Sequence, residues 1–249
     1  MWRTCSLRAA MAVLGVVSMI STGEARSHKP PQSHAGDFDF YLLSMSIAPS
    51  FCALSPANRS KPDCRDLTAD KFQQTPLTIH GLWPNRAHVS VNQQPSQCSH
   101  VPLKLSDAVK SDLARYMPGG SELEQHEWSK HGTCSGLSPD EYFASAVSLA
   151  KKVNDVVGGV MQSSGMLGGD VDVRRLIDGV AAKDPALAAA IIVDCRQPSG
   201  GGSARMSGPI VDEVRFTLSK ALKPLPADSL GMGQNSGCRG GTGRIPPVQ

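Results

Sequence analysis

Two short stretches carry side chains that can move protons. His126-Glu127-Trp128-Ser129-Lys130-His131 offers two imidazoles, a carboxylate and an ammonium in under two helical turns. In a helix, residues four apart project from one face, which pairs Glu127 with His131 and His126 with Lys130. A solvated face is ordinarily built from Glu and Lys with few histidines, whereas a His beside both a carboxylate and a cation can be tuned for proton transfer near neutral pH. The second stretch, Leu77-Thr78-Ile79-His80-Gly81-Leu82-Trp83-Pro84-Asn85, supplies another imidazole. Its β-rich start, terminated by Gly81 and Pro84, predicts a strand that ends at His80. Two histidines from separate elements, with a carboxylate and a lysine beside one of them, meet the needs of metal-free RNA cleavage. One imidazole removes the 2′-OH proton, the other protonates the departing 5′-oxygen, and a cation stabilises the charge on the phosphorane.

Taken as a pair, His80-Gly81-Leu82-Trp83-Pro84 and the run from His126 to His131-Gly132-Thr133-Cys134 resemble the two signature segments of the ribonuclease T2 family. The spans FDFYLLSMS from Phe38 and DEVRFTL from Asp212 resemble that family's flanking strands, so the similarity covers roughly residues 37 to 238. The resemblance implies an α+β fold, a central antiparallel β-sheet with helices packed against it. It implies His131 as general base and His80 as general acid, with Lys130 stabilising developing charge and Glu127 orienting groups and tuning His131. His126 would bind phosphate or help position substrate, and Trp83 and Asn85 would contact substrate; for Trp83 a place in the core is an equal alternative. The implied substrate is RNA, with no cofactor, no metal and no obligate protein partner, in a monomer. The family commonly has Trp where this chain has Ile47, so no stacking role is carried over there. An aromatic that often follows the first motif by about a dozen residues is replaced by Val91, Asn92 and Gln93, which implies a less aromatic base pocket and weaker base preference.

Around these motifs the chain reads as an ordinary exported protein. Arg3 and Arg8, the apolar run from Ala9 to Ser21 and Gly23-Glu24-Ala25 form a signal peptide over residues 1–25. Removing it takes away two positive charges and one negative, so the net charge falls from +3 to +2. A reading as a nucleic-acid-coating protein with a basic stripe is thereby weakened, and any attraction for phosphate must be local. Six cysteines remain, Cys52, Cys64, Cys98, Cys134, Cys195 and Cys238; their even number in an exported chain predicts three disulfides, with 15 pairings possible. The family resemblance implies that Cys98 pairs with Cys134, and the expectation for the others is Cys52 with Cys64 and Cys195 with Cys238. Location is then periplasmic or secreted, with no membrane attachment once the signal is cleaved.

The expected organisation is a flexible lead-in over 26–36, one catalytic domain over 37–239 and a flexible tail over 240–249. Phe38 to Ile47 is apolar on both sides, as in a central strand. Ser106 caps a helix to Met117, and Ser138-Pro139-Asp140-Glu141 opens the clearest helix in the chain. Gly158 to Gly169 lacks phosphate-loop order and reads as a linker. Beyond it the sequence predicts short helices over Asp172–Val180 and Pro185–Ala190, the apolar run Ile191-Ile192-Val193 and a strand over Ile210–Leu218. A zinc hydrolase is disfavoured because Lys130 stands where H-E-x-x-H needs its second histidine. A non-catalytic RNA- or inhibitor-binding module is disfavoured by the intact His80, Glu127, Lys130 and His131, and a toxin would use the same chemistry.

Overall fold

The apolar residues of the strands decide the layering. The computed structural model describes residues 33–198 and 208–248; the expected signal peptide and the first part of the lead-in lie outside the described residues. β1 (Phe40–Ser46) is followed by α1 (Ala48–Leu54), α2 (Pro62–Arg65) and α3 (Ala69–Gln74), then by β2 (Thr78–Asn85). α4 (Asp107–Tyr116), α5 (Gly120–Lys130), α6 (Pro139–Val153) and α7 (Gly159–Ser163) come next. The chain closes with β3 (Asp170–Asp172), α8 (Val173–Ala181), α9 (Pro185–Ala190), β4 (Ile191–Arg196), β5 (Ile210–Leu218), β6 (Asn235–Ser236) and β7 (Thr242–Arg244).

The main sheet runs β2-β1-β5-β4-β6, antiparallel from β2 to β4, so β1 is an interior strand. Period-two alternation sends Tyr41, Leu43 and Met45 into the main core with Val214, Phe216 and the α6 residues Tyr142, Phe143 and Val147. Phe40, Leu42 and Ile192 point to the other face, into a smaller cluster that Trp83 packs against. The capping box at Ser138 and Glu141 starts α6, and the Tyr142 hydroxyl donates to the Leu82 carbonyl at 2.7 Å, fixing this helix to β2.

Two register shifts interrupt the ladders on either side of β1 and β5. β1 pairs Ser44 with Gly81 and Met45 with Ile79, leaving His80 as an extra residue in β2. β4 pairs Asp194 with Glu213 and Cys195 with Val211, leaving Asp212 extra in β5. Each bulge lets two apolar residues three apart, Ile79 with Leu82 and Val211 with Val214, face the same core.

Several expectations are corrected. β2 does not end at His80: it continues through Trp83 and Pro84 to Asn85, which an edge strand permits because its outer side needs no donor from proline. The stretch Gly158 to Gly169 is not a linker throughout, since a π turn over Asn154–Gly158 and α7 carry the α6 axis onward. The tail is not free either. β7 pairs with β3 and touches β5, and Ile245 is fully buried. In the lead-in, the Gly36 N–H donates to the Cys134 carbonyl at 2.9 Å. Disulfides join Cys52 to Cys64, Cys98 to Cys134 and Cys195 to Cys238. Among the described residues no helix is long and apolar enough to cross a membrane.

Candidate active site

His80, His126, Glu127, Lys130 and His131 all line one groove of about 900 Å³, together with Trp83, Asn85 and Arg215. Two elements deliver them. The bulge in β2 turns His80 out of the ladder, and α5 presents His126, Glu127 and Lys130 before His131 caps its end, with the His131 N–H bonded to the Glu127 carbonyl at 3.0 Å. A turn over Gly132–Cys134 and the bond to Cys98 then stop the chain. Trp128 points inward, almost wholly buried, its indole donating to the Val101 carbonyl at 2.8 Å.

The indole of Trp83 stands between the two imidazoles, its ring centroid 5.1 Å from that of His80 and 5.4 Å from that of His131. Its Nε1 donates to Glu127 Oε2 at 2.6 Å. Trp83 is therefore neither a purely core indole nor a free stacking platform: one edge is committed to the carboxylate. The glycine before it has a spatial reason, because a Cβ on Gly81 would collide with both the Glu127 carboxylate and the Trp83 indole nitrogen. Asn85 lines the groove and donates one of its two amide hydrogens to the Trp83 carbonyl at 2.9 Å. Lys130 and His126 are exposed, and Lys130 makes no ion pair among the described residues.

The two imidazoles lie in opposite electrostatic settings. Burial pushes His131 down from 6.5 to about 3, helped by the nearby charges of Lys130, His126 and His80; its buried Nδ1 has no hydrogen-bond partner among the described residues. Burial also works against a charged His80, but the hydrogen bond and charge of Glu213 outweigh it, assisted by Glu127 and Asp212, and raise its pKa. Burial likewise raises Glu127, although the Trp83 bond and the charges of His80 and Lys130 favour its ionised form.

Sequence reasoning missed Glu213, read there only as part of a strand. Its Oε1 is 2.5 Å from His80 Nδ1. Oε2 accepts from Ser44 at 2.8 Å and from Arg215, whose other carboxylate partner is Asp194. The ion pairing holds Glu213 down at about 2, against burial that would raise it. Asp212 beside it is raised to about 6, first by burial and then by the charge of Glu213. One signal was legible: Glu213, Arg215 and Thr217 alternate with Val214, Phe216 and Leu218, which puts three polar side chains on one face of an otherwise apolar strand.

Comparison with known proteins gives the family of the chain. The Ribonuclease T2 family model matches residues 38–221, and the chain belongs to that family. The class so defined is that of T2-type endoribonucleases. A ribonuclease of Aeromonas hydrophila is 35% identical over 124 residues, half of each chain. Ribonuclease I of Escherichia coli is 29% identical over 211 residues, 73% of this chain and 75% of the relative. Among solved structures, ribonuclease MC1 from bitter gourd seeds superposes with a TM-score of 0.60 at 20% identity, covering 83% of this chain and all of its own. That likeness is one of fold.

Proposed function

We propose that the protein is an exported, metal-independent endoribonuclease that cuts single-stranded RNA in two stages. In the first, neutral His131 takes the 2′-OH proton, the 2′-oxygen attacks the adjacent phosphorus, and the bond from phosphorus to the 5′-oxygen breaks as imidazolium His80 gives that oxygen its proton. The products are a 2′,3′-cyclic phosphate and a 5′-OH end. Water then opens the ring to a 3′-phosphate with His80 as base and His131 as acid. Lys130, exposed and in no ion pair among the described residues, neutralises charge on the phosphorane, and His126 beside it binds phosphate. Glu127, held by Trp83, orients the phosphate region.

The observation that carries this reading is the opposed setting of the two imidazoles across Trp83. A carboxylate backs His80 and favours its charged form, while burial and neighbouring cations keep His131 neutral. One acid and one base are thus poised at the same pH. A solved relative, RNase NT, is described in complex with 5′-AMP, which supports a nucleotide as the kind of ligand for a groove of about 900 Å³. The segment after the first motif lends Val89, Val91 and Asn92 to the groove wall, with the imidazole of His88 and no Phe, Tyr or Trp ring, which favours low base specificity. We assign the activity to RNA scavenging outside the cytosol, by a monomer without an obligate partner.

The test is cleavage of the dinucleotide CpA in EDTA by the oxidised protein. The expected outcome is a transient 2′,3′-cyclic phosphate, lost in His80→Ala and His131→Ala, with DNA left uncut for want of a 2′-OH. Cleavage that needs added metal, or robust cutting of DNA, would remove the assignment.

A further inference from the structure

We propose that Glu213 is a positioning residue for this reaction: its carboxylate fixes the His80 ring with Nδ1 bound to β5, so that Nε2 is the atom presented to the departing 5′-oxygen. The inference rests on the reading of His80 as the acid of the first step.

The geometry is specific to that role. A general acid must keep one ring orientation while its other nitrogen delivers a proton, and an imidazole free to flip about its bonds delivers it only part of the time. Here Nδ1 is engaged at 2.5 Å by a carboxylate that is itself almost wholly buried. That carboxylate cannot swing away, because Oε2 is held by the Ser44 hydroxyl and by both Nε and a terminal nitrogen of Arg215. Arg215 is anchored in turn by Asp194 at 2.9 Å. The chain His80, Glu213, Arg215, Asp194 thus crosses from β2 to β4, passing over β1 where its residues are the small Ser44 and Ser46. The two bulges set the approach, by turning His80 out of one ladder and by placing Asp212 as the extra residue next to Glu213 in the other. A carboxylate serving only to stabilise the sheet would need no histidine at its end. Burying it there is costly unless both partners remain charged and hydrogen-bonded.

When the bond from phosphorus to the 5′-oxygen breaks, the Nε2 proton passes to that oxygen. The ring is left neutral with its Nδ1–H still donated to the Glu213 carboxylate, and the tautomer is already the one that Nε2 needs to act as base on water in the second stage. The charged and titratable groups facing His80 are Glu213 and Asp212 from β5, Glu127, His126 and His131 at α5 and its end, and Asp63 from α2. Among the described residues only Glu213 makes a hydrogen bond to its ring, so a Glu213 change acts on orientation as well as on charge.

The experiment compares Glu213→Gln with the unmodified enzyme on two substrates, CpA and uridine 3′-(4-nitrophenyl phosphate). The nitrophenolate leaves without a proton and so bypasses His80. Glu213→Gln is expected to lower kcat on CpA roughly 10- to 100-fold with KM within about twofold, to leave the nitrophenyl ester within about threefold, and to move the alkaline limb of the CpA profile to lower pH. Equal losses on both substrates, or an effect confined to KM, would overturn the inference. A second measurement needs no variant: in a nitrogen-15 titration of the unmodified protein the His80 Nδ1 should stay protonated throughout while Nε2 gives up its proton, and the opposite tautomer would overturn it. If the unmodified protein forms no cyclic phosphate from CpA, the acid role of His80 fails and the inference falls with it. Cyclic phosphate with equal losses on the two substrates defeats the inference alone.

Discussion

Trp83 Nε1 donates to Glu127 Oε2 at 2.6 Å and so ties the strand bearing His80 to the helix that ends at His131. Glu127 is almost wholly buried, and this is its one side-chain hydrogen bond among those found in the described residues. Trp83→Phe keeps the ring and removes the donor. The expected outcome is a loss of about 1–3 kcal/mol in stability, the cost of a buried acceptor left unmade, together with a fall in kcat as Glu127 loses its fixed orientation. Urea unfolding and CpA kinetics on the same preparation check both. Unchanged stability would mean that water replaces the indole at no cost.

Gly81 lies where side chains of these two elements meet. A methyl group there meets the Glu127 carboxylate and the Trp83 nitrogen, so Gly81→Ala must displace one or both of these side chains and break their hydrogen bond. Displacement of a catalytic pair by about 1 Å can cost on the order of 100-fold in rate, and that is the loss expected in kcat/KM. Gly233→Ala, where nothing lies within 4 Å of the added carbon, is the matched control and should leave activity and stability unchanged.

The groups that act were legible because their types are rare on solvated faces and their spacing fits one helix: His126, Glu127, Lys130 and His131 meet His80 in one groove. What stayed hidden depends on register. Glu213 is 133 residues from His80 in sequence, and only the order β2-β1-β5 with both bulges brings them together. The three-residue spacing of Ile79 and Leu82, and of Val211 and Val214, marked those bulges, but a strict period of two concealed them. Glycine content misled at Gly158–Gly169, where packing of Val157, Val160 and Met161 against the core overrides weak helix propensity. It misled again in the tail, where Ile245 supplies the buried anchor.

The disulfide between Cys98 and Cys134 restrains the chain in the turn that follows α5. Gln97, next to Cys98, donates its N–H to the Lys130 carbonyl at 2.9 Å, so this staple and the Trp83 bond grip the end of α5 between them. The sulfurs close a segment of 36 residues, for which the chain-entropy account gives about 3–4 kcal/mol. Replacing both cysteines by serine should lower the free energy of unfolding by that amount. A fall under about 1 kcal/mol would show that the reduced chain is restrained by other contacts.

The setting of His131 carries a sign that can be tested without turnover. Its pKa falls from 6.5 to about 3 on folding, chiefly by burial, with Lys130, His126 and His80 adding to the effect. The unfolded chain therefore binds a proton below pH 6.5 that the folded protein refuses until about pH 3, and stability is lost as pH falls through that window. Asp212 works in the opposite direction. Raised to about 6, it is protonated in the folded protein where the unfolded chain is not, and stability is lost as pH rises from its ordinary range through 6. The two slopes overlap, so the total curve does not isolate either group, but a difference curve does. His131→Gln removes the first contribution alone. The melting temperature of the variant relative to the unmodified protein should rise steadily as pH is lowered from 6.5 to 4, whatever its offset at neutral pH. A difference that stays flat over that range would mean that His131 protonates in place, and that the group keeping it neutral for the attack of the 2′-oxygen is not burial.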